Sequence, residues 1–178
     1  MAATEVIHTA AFDSPIGSIR VATAKRGLVY VELPHANGRG LAGWLRRYAP
    51  GAECREGFAP NKRAVVQIVE FLKAKRLSFD LPLELRGTDF QLAVWNALRD
   101  IPYGETRTYG DISAAVGNPN ANRAVGNANG SNPVALVVPC HRVVASGGKL
   151  GGYGGGATLK KRLLAMEKAT TTLEPRLL

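Results

Sequence analysis

The sequence predicts an α+β fold: a small mixed α/β N-terminal domain over residues 1–86, then a mainly helical C-terminal domain over residues 87–178 with a winged-helix-like helix-turn-helix. Three observations predict it. The first third alternates β-rich runs with turn signals, the second half places apolar residues at helical spacing behind capping signals, and two short helical stretches flank a Gly-Asn-Pro-Asn turn. The 178 residues are 46% hydrophobic, enough for a packed core and too apolar for wholesale disorder. No apolar run reaches the ~18–20 residues of a membrane span.

Taken in order, Ile7 to Phe12, Ser18 to Thr23 and Leu28 to Leu33 read as strands, separated by Ser14-Pro15-Ile16-Gly17 and Lys25-Arg26-Gly27. Trp44 to Tyr48 suggests a short helix, and Pro50, Gly51, Gly57 and Pro60 mark loop. Val65, Ile68, Val69 and Leu72 recur at i, i+3, i+4 and i+7, an amphipathic helix ending near Lys73, Lys75 and Arg76. Leu81 to Leu85 is a short strand or extended link. Thr88-Asp89-Phe90-Gln91 has capping-box spacing and opens a helix through Phe90, Val94 and Leu98, stopped by Pro102 and Gly104. Thr108 with Asp111 is a weaker box before a short helix. After Gly117-Asn118-Pro119-Asn120 a second short helix runs from Ala121 to about Ala128, completing the helix-turn-helix pattern. Val134 to Val138 reads as a buried extended run that delivers Pro139-Cys140-His141-Arg142. Gly147 to Gly156 has seven glycines in ten positions, and a last helix spans about Thr158 to Glu167.

The net charge is +9, with a sequence pI near 9.9. Residues 1–85 carry 12 basic and 8 acidic side chains, and residues 86–178 carry 11 and 6, so no basic tail exists. A polyanionic partner would therefore meet structured surface. Cys54 and Cys140 make no disulfide framework. The stretch Met1 to Ala10, with Glu5 and His8, lacks a basic-then-apolar leader pattern. The expected location is therefore cytoplasmic, with reduced thiols. Cys54, Cys140, His8, His35 and His141 show no CxxC or HxxxH spacing, so no metal site is expected. The glycines near Gly151 do not follow a strand in GxGxxG order, and no P-loop lysine follows them.

Cys140 is the first chemical suspect. A lone cysteine is often inert packing, but His141 is adjacent and Arg142 adds positive potential that favours thiolate. Neighbouring side chains seldom aim at each other, so a Cys–His link would need a bridging water or a turn at Pro139. Glu167 shares an apolar stripe with Leu159, Leu163 and Met166. It is either a frayed-end glutamate or a buried carboxylate that accepts a bond from His141. Ala121, Ala124, Gly126 and Ala128 leave the second short helix small-sided, with Arg123 projecting. Such a helix either packs tightly on the core or enters a narrow groove with Arg123 inserted. It offers few side chains for major-groove readout. Tyr109 is core packing or a phenol near a substrate. Asn132, in Ser131-Asn132-Pro133, is a turn former or a brace for the Cys140 segment.

Pro139-Cys140-His141-Arg142-Val143-Val144 resembles the signature of the O6-alkylguanine-DNA alkyltransferase family, which includes methylated-DNA–protein-cysteine methyltransferases. Arg123-Ala124-Val125-Gly126, Asn132-Pro133, Gly152-Tyr153 and Leu163-Leu164-Ala165-Met166-Glu167 reinforce the resemblance, which is strong over about residues 88–168. It implies DNA repair by transfer of a methyl or alkyl group from O6 of guanine, with O4 of thymine as a secondary target. The acceptor would be Cys140, used once and irreversibly, with no cofactor. It further implies that His141 acts through a water as base, Glu167 orients it and Asn132 braces the site. Tyr109 would help rotate the nucleotide, and Arg123 would fill the space the base leaves, flanked by Asn122 and Ala124. Val143, Tyr153, Gly154 and Lys160 would bound the guanine pocket. Asn122 departs from the smaller residue usual before the arginine, and Gly154-Gly155-Gly156 makes the pocket loop unusually glycine-rich. The implied partner is double-stranded DNA containing O6-alkylguanine. The chain itself would be a monomer, with cooperativity on DNA left open. The residues alone also admit a cysteine hydrolase using Cys140, His141 and Glu167, a helix-turn-helix regulator, or a damage sensor without chemistry.

Overall fold

A computed structural model describes residues 4–34 and 40–173, and these divide into two compact units. The first comprises residues 1–87 with 133–137; the second comprises residues 88–132 with 138–178. His35 lies outside the described residues.

In the first unit, β1 (Val6–Ser14), β2 (Gly17–Ala24), β3 (Gly27–Glu32) and β4 (Glu53–Glu56) form one sheet in the order β3-β2-β1-β4. β1 and β2 are an antiparallel hairpin. Its turn needs Gly17, at φ +110°, where a Cβ would also press on the Pro34 ring. Helix α1 (Gly40–Tyr48) lays Leu41 and Trp44 on Ile7, Ala22, Ala24 and Val29. Helix α2 (Phe58–Leu72) buries Ala64, Val65, Ile68, Phe71 and Leu72 and packs on β1 and β2. Burial of Val65, Ile68, Phe71 and Leu72 stabilises by roughly 1.5–3 kcal/mol each.

Two expectations fail here for definable reasons. β4, read as loop, pairs in parallel with β1. All four of its residues, Glu-Cys-Arg-Glu, are exposed, and an edge strand wet on both faces leaves no alternating pattern to read. Pro60, read as a loop marker, lies in the first turn of α2, where the missing N–H has no partner to lose. Leu81–Leu85 contributes a single bridge, Leu83 to Leu28.

The second unit contains α3 (Asp89–Arg99), α4 (Tyr109–Ala115), α5 (Asn122–Gly130) and α6 (Ala157–Leu173), with a two-stranded parallel ladder of β5 (Arg107–Thr108) and β6 (Val143–Val144). Both capping boxes form completely, Thr88 with Gln91 and Thr108 with Asp111. Helices α3, α4 and α5 pack on one another through buried Val94, Trp95, Leu98, Ile112, Val125 and Ala128. The Trp95 indole N–H donates to the Ala128 carbonyl at 2.8 Å, fixing α5 against α3.

The run Val134 to Val138 is buried except at half-buried Val137, but it is not continuously extended: Leu136 has φ +73°, and only Val134 bridges a strand, β3. Residues 133–137 belong to the first unit, while Asn132 and Val138 belong to the second. The Asn132 amide donates to the Val138 carbonyl at 2.8 Å and so closes the base of this excursion.

Candidate active site

Cys140 opens a single 3-10 turn, Cys140–Arg142, directly after Pro139. This turn aims the three consecutive side chains in different directions. Cys140 is 4% exposed and His141 is fully buried. His141 Nε2 lies 2.7 Å from Glu167 Oε1. Glu167 is itself fully buried on α6, which continues to Leu173, so the carboxylate is not a frayed end.

Glu167 gathers more than the histidine. The Arg142 guanidinium donates to it through Nε at 2.9 Å and Nη2 at 3.1 Å, and the Gly104 N–H donates at 3.0 Å. Gly104 is forced by the site: at φ +79°, a Cβ there would fall 2.2 Å from Thr171 Oγ1, which in turn donates to the Glu167 carbonyl. Arg142 also donates to the Ile101 carbonyl at 2.8 Å and lies over the Tyr103 ring. The expectation that Arg142 favours the Cys140 thiolate is therefore corrected. Its charge is committed to Glu167, and the cation that acts on the sulfur is Lys160.

Burial pushes the Cys140 thiol up to about 11, against the Asn132 side chain, the Lys160 charge and the backbone N–H groups of Cys140 and His141, which all favour thiolate. Burial also holds His141 below its usual value, outweighing the bond to Glu167 that supports its protonated form. Glu167 is held below the usual carboxylate range: its bonds to His141 and Arg142 outweigh the desolvation that opposes them. An ionised carboxylate can only accept, so a neutral His141 donates from Nε2 and keeps its lone pair on Nδ1.

Lys160 is fully buried; its Nζ donates to the carbonyls of Val143 (2.5 Å) and Gly152 (3.0 Å). Burial lowers it to about 8, opposed by the nearby sulfur. Tyr153 sets its ring edge-on to His141, with centroids 6.3 Å apart. Tyr109 begins α4, and its hydroxyl lies close against the backbone at Gly151. Asn122, Arg123 and Ala124 are exposed on the first turn of α5. A cleft of about 480 Å³ lies between Tyr109, Asn122, Arg123 and Gly126 on one side and Ala145 and Ser146 on the other.

Against known proteins, the family model described as the 6-O-methylguanine DNA methyltransferase DNA-binding domain matches residues 89–169. Over 163 residues the chain is 44% identical to a methylated-DNA–protein-cysteine methyltransferase of Methanosarcina acetivorans, covering 90% of this chain and 98% of that one. The chain belongs to the methylated-DNA–protein-cysteine methyltransferase family. The inducible methyltransferase of Bacillus subtilis is 43% identical over 85% of either chain. Among solved structures, Mycobacterium tuberculosis OGT in complex with DNA superposes with a TM-score of 0.80 at 42% identity, covering 92% of this chain and 94% of that one. The O6-methylguanine-DNA methyltransferase of Pyrococcus kodakaraensis gives 0.59 at 27% identity, over 90% and 98%.

Within this methyltransferase, the geometry brings Cys140, His141, Glu167, Asn132, Lys160, Val143 and Tyr153 into one cluster. Arg123, Asn122 and Ala124 stand apart on the exposed helix. Sequence reasoning missed the Arg142 and Gly104 bonds to Glu167. It also missed Asn129, 3% exposed, whose amide reaches the Cys140 carbonyl at 3.4 Å. Arg142 carried a usable signal, since an ionised buried glutamate requires a cation as well as a neutral imidazole. Asn129 carried none, being one of several asparagines in a turn-rich stretch.

Proposed function

We propose that this chain repairs duplex DNA by moving a methyl or larger alkyl group from O6 of guanine, or O4 of thymine, onto its own Cys140. One observation carries the reading: a buried cysteine stands beside an imidazole whose far nitrogen is bonded to an ionised, buried carboxylate. The thiol proton passes through a water to His141 Nδ1. Sulfur then attacks the alkyl carbon, the carbon–O6 bond breaks, and a backbone N–H or the Tyr109 hydroxyl stabilises the departing guanine. The thioether has no route back, so each molecule reacts once.

The pair α4 and α5 serves as the helix-turn-helix. Its small-sided second helix lies in the minor groove, Arg123 fills the space of the extruded base, and Asn122 and Ala124 contact the backbone beside it. Extrusion costs a few kcal/mol, which the inserted side chain and phosphate contacts offset. Asn132 braces the Cys140 turn, and Val143, Tyr153, Gly154 and Lys160 bound the guanine pocket. Residues 87–178 act as the DNA-binding and acceptor domain, with residues 1–86 in support. The protein acts as a cytoplasmic monomer without cofactor, and double-stranded DNA containing O6-alkylguanine is its partner.

Incubation with a short O6-methylguanine duplex, followed by peptide mass spectrometry, is expected to add one CH2 unit to the Cys140 peptide, at one equivalent per molecule. Repeated turnover with an unmodified Cys140 peptide would overturn this reading in favour of a hydrolase.

A further inference from the structure

The four-stranded sheet of the first unit treats its two edges differently. Along β3, Leu83 bridges Leu28 and Val134 bridges Val31, so that edge is covered. β4 forms the other edge, and its Glu53, Cys54, Arg55 and Glu56 are all exposed. The Glu53 N–H donates to the Glu5 carbonyl at 2.8 Å, and the Gly57 N–H donates to the Thr9 carbonyl at 2.9 Å. The backbone of Glu53 and Gly57 therefore faces β1. Backbone groups alternate in direction along a strand, so the N–H and C=O groups of Cys54 and Glu56 point outward from the sheet.

Charge on an edge strand ordinarily blocks pairing with another chain. Here its order does the opposite for one partner, a second copy of the same strand. When two β4 strands run antiparallel about Cys54, Glu53 of each stands opposite Arg55 of the other, and Glu56 stands opposite half-buried Ala52. Within one chain Arg55 already donates to Glu53 through Nε and Nη2, both at 2.8 Å. The paired strands set these charges in a ring of alternating sign. Centring the pair on Glu53 instead puts two carboxylates face to face, and centring it on Arg55 does the same to two guanidinium groups. A parallel in-register pair does both, so charge selects one register. That register also brings Phe58, 54% exposed, alongside the exposed Pro50 of the second copy.

We propose that the β4 edge is a contact surface for a second copy of this chain, joined antiparallel with Cys54 at the two-fold axis. A four-residue edge is small beside the ~1,200–2,000 Å² of a stable interface, so the contact is transient and the dilute protein stays a monomer. The contact forms where molecules are crowded. It does not depend on alkyl transfer, because Cys140 belongs to the second unit.

The two Cys54 side chains supply the test. Opposed residues that exchange both N–H···O bonds hold their Cα atoms ~5.5 Å apart, within the ~4.4–6.8 Å that a disulfide spans. In the full chain carrying Cys140→Ser, diamide takes one hydrogen from each Cys54 thiol and leaves a disulfide between the chains. Non-reducing electrophoresis follows its formation in concentrated protein. Cross-linking should run several-fold faster than in a collision control, Cys54→Ser with Ala59→Cys, whose thiol stands on the exposed surface of α2. Glu53→Arg or Arg55→Glu alone should slow it about tenfold, since each sets like charges opposite. The two changes together should restore it, because the opposed charges are then merely exchanged. An equimolar mixture of the two single variants, one with a size tag, should give mixed dimers in excess of either self-pair. Should a charge variant not fold, salt raised to about 0.5 M should slow the Cys54 cross-link relative to the control. Cross-linking no faster than the control overturns the contact. A fast cross-link indifferent to the charge changes and to salt overturns the antiparallel register.

Discussion

Replacing Glu167 with glutamine changes one oxygen to an amide in the most densely bonded part of the second unit. The carboxylate receives His141 at 2.7 Å, Arg142 at 2.9 and 3.1 Å, and the Gly104 N–H at 3.0 Å. A glutamine offers one acceptor where two oxygens served these donors, and its NH2 faces at least one of them. Arg142, 7% exposed, keeps its charge and retains only the Ile101 carbonyl as an acceptor of comparable quality. Leaving a buried cation unpaired in this way costs about 3–5 kcal/mol. At a urea slope of about 1–3 kcal/mol/M, the unfolding midpoint should fall by roughly 1–5 M. The double variant Arg142→Met with Glu167→Gln removes the stranded charge and should recover about 1–3 kcal/mol. Alkyl transfer should stay about 10²- to 10⁴-fold slow in both, because His141 still lacks its carboxylate. A double variant no more stable than the single one would refute the stranded-charge reasoning. A near-normal transfer rate in Glu167→Gln would refute the relay.

With its thiol raised from 9.0 to about 11, Cys140 should hold about a hundredfold less thiolate at pH 7.5 than an unperturbed thiol. In a Cys54→Ser background, iodoacetamide labelling of Cys140 should be slow and still rising above pH 9. Arg123→Ala should slow repair in a duplex far more than alkylation by a free O6-alkylguanine base, since only the duplex needs the vacated space filled. Equal losses would remove the finger role. Acid should destabilise the fold in two steps. The folded His141 and Glu167 both titrate below their unfolded values, so each contributes stability that is full above the unfolded pKa and lost as pH falls. His141 begins to lose its share below about pH 6.5 and Glu167 below about 4.3. Urea midpoints measured from about pH 7.5 to about pH 2.5 should show this, with the upper step absent in His141→Phe.

How legible these features were depended on how local their causes are. The three N-terminal strands, the two capping boxes and the apolar stripes of α2 and α3 follow from spacing within a few residues, and the structure forms them where the spacing places them. β4 escaped because an edge strand needs no apolar face, and Leu136 because a turn can be as apolar as a strand. At the site, Glu167 was readable as a carboxylate on an apolar stripe. The Gly104 N–H and the Arg142 fork lie 63 and 25 residues away from it in sequence, and no pattern links them.

The raised thiol and the lowered imidazole look unhelpful for a nucleophile, yet the fixed charges around them suit the step the proposed reaction needs. Moving one proton from Cys140 to His141 creates an anion and a cation together, so the net charge of the buried cluster does not change. The new anion lies in the field of Lys160, and the new cation faces Glu167 at 2.7 Å. Positive and negative sites then alternate from Lys160 through Cys140 and His141 to Glu167, with Arg142 completing the series. Each group taken singly is pushed toward neutrality by burial, while the pair taken together is held between charges of the right sign. The resting site therefore keeps an unreactive thiol sealed from solvent. The thiolate forms only as half of an ion pair, which favours reaction with an alkyl carbon already delivered to the sulfur over reaction with electrophiles free in solution.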